Sequence, residues 1–294
     1  MLAESVSNPG KSKWYAKLNL EFSRRRGRTV LSEREPRGPF CVQKPFYPAD
    51  RVCHVYLLHP PGGMAGGDVL ELDAQIKDGS NVLITTPSSA KFYRSDVDDS
   101  IQKQVLRVGR EASLEWLPMD TILFGGSRAR IDTELHLDAD AAFIGWEALS
   151  LGRPTSGDHY QSGTLTQRTR VFVDSEPVLI ERLDWSAGDP VLQSDWGLAG
   201  HTVWGMIYAY PADESTVMAI RENSAMQNNA MIGVTLLGRL MVARCMSNTA
   251  QSLRLALEAG WKALRQPVME REPIPPRIWM TYEIADETFT ERKR

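Results

Sequence analysis

The segment His59-Pro60-Pro61-Gly62-Gly63-Met64-Ala65-Gly66-Gly67-Asp68 constrains this chain more than any other. It lies between two runs that read as strands, Val52 to Leu58 and Val69 to Ile76. Each proline fixes its own φ at about −65° and pushes the preceding residue out of the helical region. The glycines at 62, 63, 66 and 67 let the backbone visit positive φ or approach another group closely. No helix survives that composition. The segment is a shaped loop with a carboxylate at its exit, either a wide strand-to-strand connection or a functional loop.

Short strand-like runs fill the chain from Trp14 to Trp185. Trp14 to Phe22, Thr29 to Glu33 and Phe40 to Phe46 come first, separated by Arg-Gly and Pro-Arg-Gly-Pro breaks. Val52 to Leu58 is almost wholly apolar, as in a strand buried on both faces, which makes His54 a core histidine. Val69 to Ile76 alternates, with Leu70, Leu72, Ala74 and Ile76 on one face and Glu71, Asp73 and Gln75 on the other. Asp78-Gly79 supplies a positive-φ residue, so a hairpin into Val82 to Thr86 is expected. Ala129 to Leu137 alternates likewise and places His136 on the wet face. Ser113 to Leu117, Ala141 to Ala148, Thr164 to Val173 and Val178 to Trp185 add further strands, and Gly197 to Tyr210 can form another.

After that the texture changes. Ala212 to Arg221 and Asn248 to Arg265 read as helices. In the second, Leu253, Leu257, Trp261 and Leu264 fall on one face, with Asn248 or Thr249 as cap and Pro267 after the end. The expected fold is mainly β: a large antiparallel-rich, multi-strand body with a small helical region near the C-terminus. We expect one domain over 1–294, with a β body over about 14–210, a helical region over about 212–265 and a Pro-rich extended segment and tail over 266–294.

Composition narrows the function classes. A net charge of −3 gives no electrostatic footprint for nucleic acid. Cys41, Cys53 and Cys245 are scattered and odd in number, which fits a reduced compartment better than a disulfide framework. There is no apolar leader, and no run reaches the ~20 apolar residues of a membrane span. A soluble cytoplasmic protein is expected. Ser5-Val6-Ser7-Asn8-Pro9-Gly10-Lys11-Ser12 imitates a phosphate-binding loop, but serine replaces the first glycine and a strand-like run follows where a helix is required.

No zinc, redox or nucleophile-elbow motif occurs, and the five histidines lie far apart. Two carboxylates stand out. Glu147 follows the apolar run 141–146, and Glu181 follows Val178-Leu179-Ile180. Burying an unpaired carboxylate costs several kcal/mol or shifts its pKa. Each is therefore either half of an ion pair, with Arg153 and Arg182 as candidate partners, or part of a water-filled interior path. Oxygen ligands on such a path would hold a divalent transition metal weakly enough to release it.

Several segments taken together resemble one family. His59-Pro60-Pro61-Gly62-Gly63 with Gly66-Gly67-Asp68, Thr85-Thr86-Pro87 and Ala90-Lys91-Phe92-Tyr93-Arg94-Ser95 are similar to the hallmark of the urease accessory protein UreD (UreH) family. The likeness continues through Leu114-Glu115-Trp116-Leu117-Pro118, Gly145-Trp146-Glu147, Leu151-Gly152-Arg153, Ile180-Glu181-Arg182, Trp196-Gly197-Leu198-Ala199-Gly200 and Pro275-Pro276-Arg277-Ile278-Trp279. It departs at Met119-Asp120, where the family commonly has Gln-Glu. Order and spacing hold over about residues 14–281.

The resemblance implies a largely β fold and a scaffold without turnover. Such proteins bind the helical accessory protein UreF, through it the GTPase UreG, and apo-urease, for nickel insertion; a dimer of these heterocomplexes is compatible with the resemblance. No tightly bound cofactor is implied, only transient Ni²⁺. Asp68, Glu147 and Glu181 become candidates for lining a nickel path, with His59 and His201 as weaker ones. Lys91, Tyr93 and Arg94 would fix the first loop or meet a partner. The alternatives are a hydrolase with a dispersed site around His59 and Asp68, and a β-sheet module for a small ligand.

Overall fold

The computed structural model describes residues 13–279. The Ser5 to Ser12 imitation of a phosphate-binding loop and the tail after Thr281 lie outside the described residues. In chain order the strands begin with β1 (Tyr15–Arg25), β2 (Arg28–Arg37), β3 (Cys41–Val42), β4 (Cys53–Leu58), β5 (Val69–Ile76) and β6 (Asn81–Thr85). They continue with β7 (Ala90–Phe92), β8 (Ser100–Val108), β9 (Ser113–Leu117), β10 (Thr121–Leu123), β11 (Ser127–Leu137) and β12 (Ala142–Leu151). β13 (Gly163–Val173), β14 (Glu176–Ser186) and β15 (Val203–Tyr210) follow, then α1 (Glu214–Arg221), α2 (Ser224–Gln227), β16 (Met231–Leu237), β17 (Leu240–Ser247) and α3 (Ala250–Met269).

The fold is mainly β, with small helices towards the C-terminus, as expected. Its strand directions are not. One sheet has seven strands in the order β14-β13-β11-β8-β5-β1-β2; the other has ten, with the main path β16-β17-β15-β12-β9-β6-β4-β3. From β4 to β13, setting aside the short β7 and β10, the chain alternates between the sheets and both rows advance in step. Neighbours are therefore parallel: β5 with β8, β8 with β11 and β11 with β13 in one sheet, β4 with β6, β6 with β9 and β9 with β12 in the other. The antiparallel-rich expectation is corrected to a parallel solenoid flanked by antiparallel pairs such as β1–β2, β13–β14 and β15–β17.

The expected hairpin between β5 and β6 is corrected for the same reason. Asp78-Gly79 does turn the chain, with Gly79 at φ +64°, but the turn carries it into the other sheet. β5 buries every second residue, whereas β6 is apolar on both faces and needs cover on both. Only the ten-stranded sheet offers that. Its inner face packs on the seven-stranded sheet through residues such as Val55, Ile84, Leu114 and Phe143. Its outer face carries Leu83, Leu117, Ile144 and Ile207 and is covered by the helices. The outer face of the seven-stranded sheet stays wet and bears cross-strand ion pairs, Glu71 with Lys103 and Asp73 with Arg107.

The helix stripe falls where its spacing places it: Leu253, Leu257, Trp261 and Leu264 are all buried in the outer cluster. Thr249 caps α3 by accepting from the Ser252 N–H at 3.1 Å. Two boundaries change. Strands β16 and β17 interrupt the expected helical region, and α3 runs past Pro267 to Met269. Val268 and Met269 are both buried, and that apolar burial offsets the proline's lost hydrogen bond.

A buried charge network fixes α3 to the sheet. Glu115 on β9 accepts from Trp261 Nε1 at 2.6 Å and from Arg265 Nε and Nη2, each at 3.0 Å. Arg265 is itself wholly buried and also reaches Asp50 Oδ2 at 2.5 Å. Replacing Arg265 by methionine leaves Glu115 buried without its cation, and we expect a loss of about 3–5 kcal/mol in chemical denaturation.

His54 is buried beside this network, as its strand pattern requires. Burial pulls its imidazole from 6.5 down to about 4; Asp50 opposes that pull and Arg265 adds to it. Between those two values the unfolded chain binds a proton that the folded chain refuses, so stability rises with pH across the window and falls as pH drops through it. The loss should approach about 3 kcal/mol below pH 4, and His54→Leu should flatten that part of the stability–pH curve.

Candidate functional site

The glycine loop 59–68 folds as a clasp. Gly62 and Gly67 take positive φ of 76° and 88°. A Cβ on Gly63 would meet the Tyr93 ring at 2.4 Å, and one on Gly66 would meet Ser95 Oγ at 2.1 Å. The loop exchanges backbone hydrogen bonds with the end of β7, Met64 N to Lys91 O at 2.8 Å and Tyr93 N to Met64 O at 2.9 Å. Asp68 closes it: Oδ2 accepts from Ala65 N at 2.8 Å and Oδ1 from Trp14 N at 3.0 Å. Tyr93 packs edge-on against Phe124, and Lys91 Nζ reaches Gly62 O at 3.4 Å.

Behind the loop lies a cavity of about 460 Å³ between the two sheets. Its wall runs from the exposed Pro60 and Ser88, past His59 and Lys91, to the buried Glu147. Glu147 on β12 is held by neutral donors alone. Thr133 Oγ1 gives to Oε1 at 2.6 Å; Gln167 Nε2, Thr169 Oγ1 and Tyr208 OH give to Oε2 at 2.9, 2.8 and 3.0 Å. Burial pushes its carboxyl up, and these donors pull it partly back. Oε1, with a single donor, keeps acceptor capacity. Two more cavity-lining oxygens, Gln102 Oε1 and Gln167 Oε1, are buried without a partner. Among the described residues no three His, Cys, Asp or Glu side chains form a metal-binding group. The cavity therefore has a largely apolar wall, with residues such as Phe40, Met64 and Trp116, that carries one buried carboxyl group and two unpartnered amide oxygens.

A family profile described as UreD urease accessory protein matches residues 15–280. The chain belongs to this family. A relative named urease accessory protein UreD from Alkalilimnicola ehrlichii is 43% identical over 269 residues, covering 91% of this chain and 92% of its own. UreD of Klebsiella aerogenes is 38% identical over 275 residues, covering 93% and 99%. UreD of Citrobacter koseri is 40% identical over 268 residues, covering 91% and 92%.

Within this UreD-family fold the sequence-derived candidates separate. Glu147, His59 and Lys91 line the cavity. Burial draws the His59 imidazole down, and the charge of Asp68 opposes it. Asp68 is spent on two backbone N–H groups, is absent from the cavity wall and shares no hydrogen bond with His59 among the described residues. Glu181 sits apart, bound by Arg244 at 2.7 Å, and His201 pairs with Asn248 at 2.9 Å. Arg94 lies at the surface against Asp96.

Glu181 is half of an ion pair, as one of the two expectations had it, but both candidate partners are corrected. Arg153 stacks on Phe124 and faces Asp158, leaving Glu147 with no cation among the described residues, and Arg182 pairs with Asp184 while Arg244 takes Glu181. On a strand, adjacent residues point to opposite faces, so Arg182 cannot reach the inward Glu181. Sequence reasoning also passed over Gln102, Gln104 and Gln167. The signal was there: glutamines on the inward face of strands whose neighbouring inward residues are apolar, Leu106 on β8 and Leu165 on β13. Asp68→Ala should strip the Ala65 and Trp14 backbone N–H groups of this acceptor and lower stability by about 1–3 kcal/mol, read as a fall in Tm with the secondary structure retained.

Proposed function

We propose that this chain is a non-enzymatic scaffold and metallochaperone that passes Ni²⁺ to apo-urease within a complex containing a UreF-type helical protein and, through it, a UreG-type GTPase. Family membership supports the accessory role. The observation that carries the nickel path is the largely apolar cavity that ends on Glu147, with one carboxylate oxygen under-used and two glutamine oxygens unpartnered. A hydrated divalent cation entering there meets a carboxyl group that burial favours in its protonated form and that gives up its proton to bind the cation, together with neutral oxygen dipoles. That set suits a passing ion: fewer charges than a resident site, and no thiolate or imidazole cluster to trap it.

The remaining candidates have supporting parts in this reading. Asp68 shapes the loop that forms the cavity mouth. His59 and Lys91 line that mouth, and their charge states set its field. Glu181 with Arg244 ties β14 to β17, one strand from each sheet, beside the deep end of the path. His201 lies off the path.

The test is co-expression of the tagged chain with the whole urease gene set. Recovery of apo-urease together with the helical and GTPase partners is expected. Glu147→Ala and Glu147→Gln should be recovered in the same complex at wild-type yield, while the nickel content of the urease produced falls several-fold. Unchanged nickel occupancy in a stable complex would remove Glu147 from the path. A chain recovered alone, with urease activity indifferent to its deletion, would overturn the accessory reading as a whole.

A further inference from the structure

The cavity between the sheets has a lining that holding a metal ion does not account for. Leu57 and Trp116 line it from the ten-stranded sheet, and Leu70, Leu72 and Ile131 from the seven-stranded one; all five are buried. Phe40, also in the lining, stands edge-on to the His59 ring with centroids 6.5 Å apart. A space of about 460 Å³ is the size of a small-molecule site, and apolar cavities favour apolar guests over water.

The ionisable groups lie at its two ends. Glu147, the one acidic residue of the lining, is at the inner end with four donors already on its oxygens. Lys91 stands towards the mouth. Its Nζ has one long hydrogen bond, 3.4 Å to Gly62 O, and no carboxylate within ion-pair distance among the described residues. Lys13, Lys77 and Lys103, by contrast, each hold a carboxylate, those of Asp98, Glu21 and Glu71. Ser88, exposed on the same rim, adds a hydroxyl. The cavity is thus polarised, with an uncompensated ammonium at the rim and an apolar interior behind it.

We infer that the cavity binds a medium-chain aliphatic monocarboxylate, with its chain along the apolar wall and its carboxylate on Lys91 Nζ. The chain supplies the affinity, because each buried methylene strengthens binding about 4-fold. The ammonium supplies the sense of insertion, through a charge-assisted hydrogen bond at a rim where the head group keeps part of its water. An alkylamine would set like charge against Lys91. A dicarboxylate would carry its second charge into the interior, where nothing but the Glu147 carboxyl meets it. The binding belongs to the isolated chain and does not require the scaffold reading. A chain seated there lies between the mouth and Glu147, so it and a passing cation exclude one another.

The experiment titrates the purified full-length chain with hexanoate, octanoate and decanoate, and with 1-octanol and octylamine, by calorimetry. Lys91→Met and Lys91→Arg are titrated alongside, with thermal unfolding run on each variant. Saturable binding of octanoate at one site is expected, with affinity rising about 4-fold per methylene from hexanoate to octanoate. Octylamine should bind about 10-fold more weakly than octanoate or worse. Lys91→Met should weaken octanoate about 10-fold and leave 1-octanol unchanged, while Lys91→Arg keeps most of the carboxylate affinity. The alcohol reads the cavity without the charge, so a collapsed cavity and a lost ammonium give different results. No saturable carboxylate binding, affinity indifferent to chain length, or octylamine bound as tightly as octanoate overturns the inference. So does a folded Lys91→Met that binds octanoate as the wild type does. None of these results bears on the nickel reading, which is decided by the nickel content of urease.

Discussion

The constraint on which the rest depends is that, from β4 to β13, each principal strand must leave its sheet and cross to the other. A parallel neighbour cannot be reached by a two-residue turn. Here the crossover is the next strand of the opposite sheet, so one coil supplies both sheets at once. Two consequences follow from that geometry. Neighbouring strands in each sheet are parallel without a single crossover helix, and all connections of one kind collect at one end. Met64 bridges Phe92, Lys91 pairs with Ile122, and Arg94 bridges Ser127. Segments some thirty residues apart in sequence therefore lie side by side at the ~4.8 Å spacing of adjacent strands.

Two buried carboxylates show how the same body treats charge in two ways. Glu115 and Glu147 lie on adjacent strands of the ten-stranded sheet and are both almost inaccessible. Glu115 faces the helices and meets a guanidinium and an indole N–H, so its charge is compensated where it stands. Glu147 faces the other sheet and meets hydroxyls and an amide, none of which carries charge. A carboxylate desolvated without a cation is a standing cost of several kcal/mol. A fold able to place Arg265 beside one carboxylate is not short of means. The other stays unpaired at the wall of a cavity, and the proposed cation path rests on that difference.

Much of this was legible in the sequence, within definite limits. The alternation of Val69 to Ile76 and the stripe Leu253, Leu257, Trp261 and Leu264 each report which side is buried, and both were read correctly. Alternation does not report strand direction: a strand with one wet face looks the same beside a parallel or an antiparallel neighbour. The turn at Asp78-Gly79 is equally silent, because a positive-φ glycine serves a hairpin and a sheet-to-sheet crossing alike. β8 escaped because Gln102 and Gln104 face inward and break the apolar period; they do so because a cavity, not packed side chains, lies opposite them. Glu147 could be singled out as a carboxylate after an apolar run. Its holders could not, since Thr133, Gln167, Thr169 and Tyr208 come from β11, β13 and β15 and meet only through the coil.

The glycine loop shows why shape and chemistry are hard to separate at the cavity mouth. Its composition suggested positive φ and close approach, and both occur, yet its only carboxylate is used up in holding the shape. A mouth built this way owes its chemistry to the groups the loop positions, His59 on its own first residue and Lys91 on the neighbouring segment. Lys91 is tied to the loop by one long hydrogen bond to Gly62 O, and its charge opposes the entry of a bare cation. That opposition is compatible with transfer only if something cancels it. The solenoid places the mouth beside the other long segments of that end, so the groups that line the way to Glu147 come from segments far apart in the sequence.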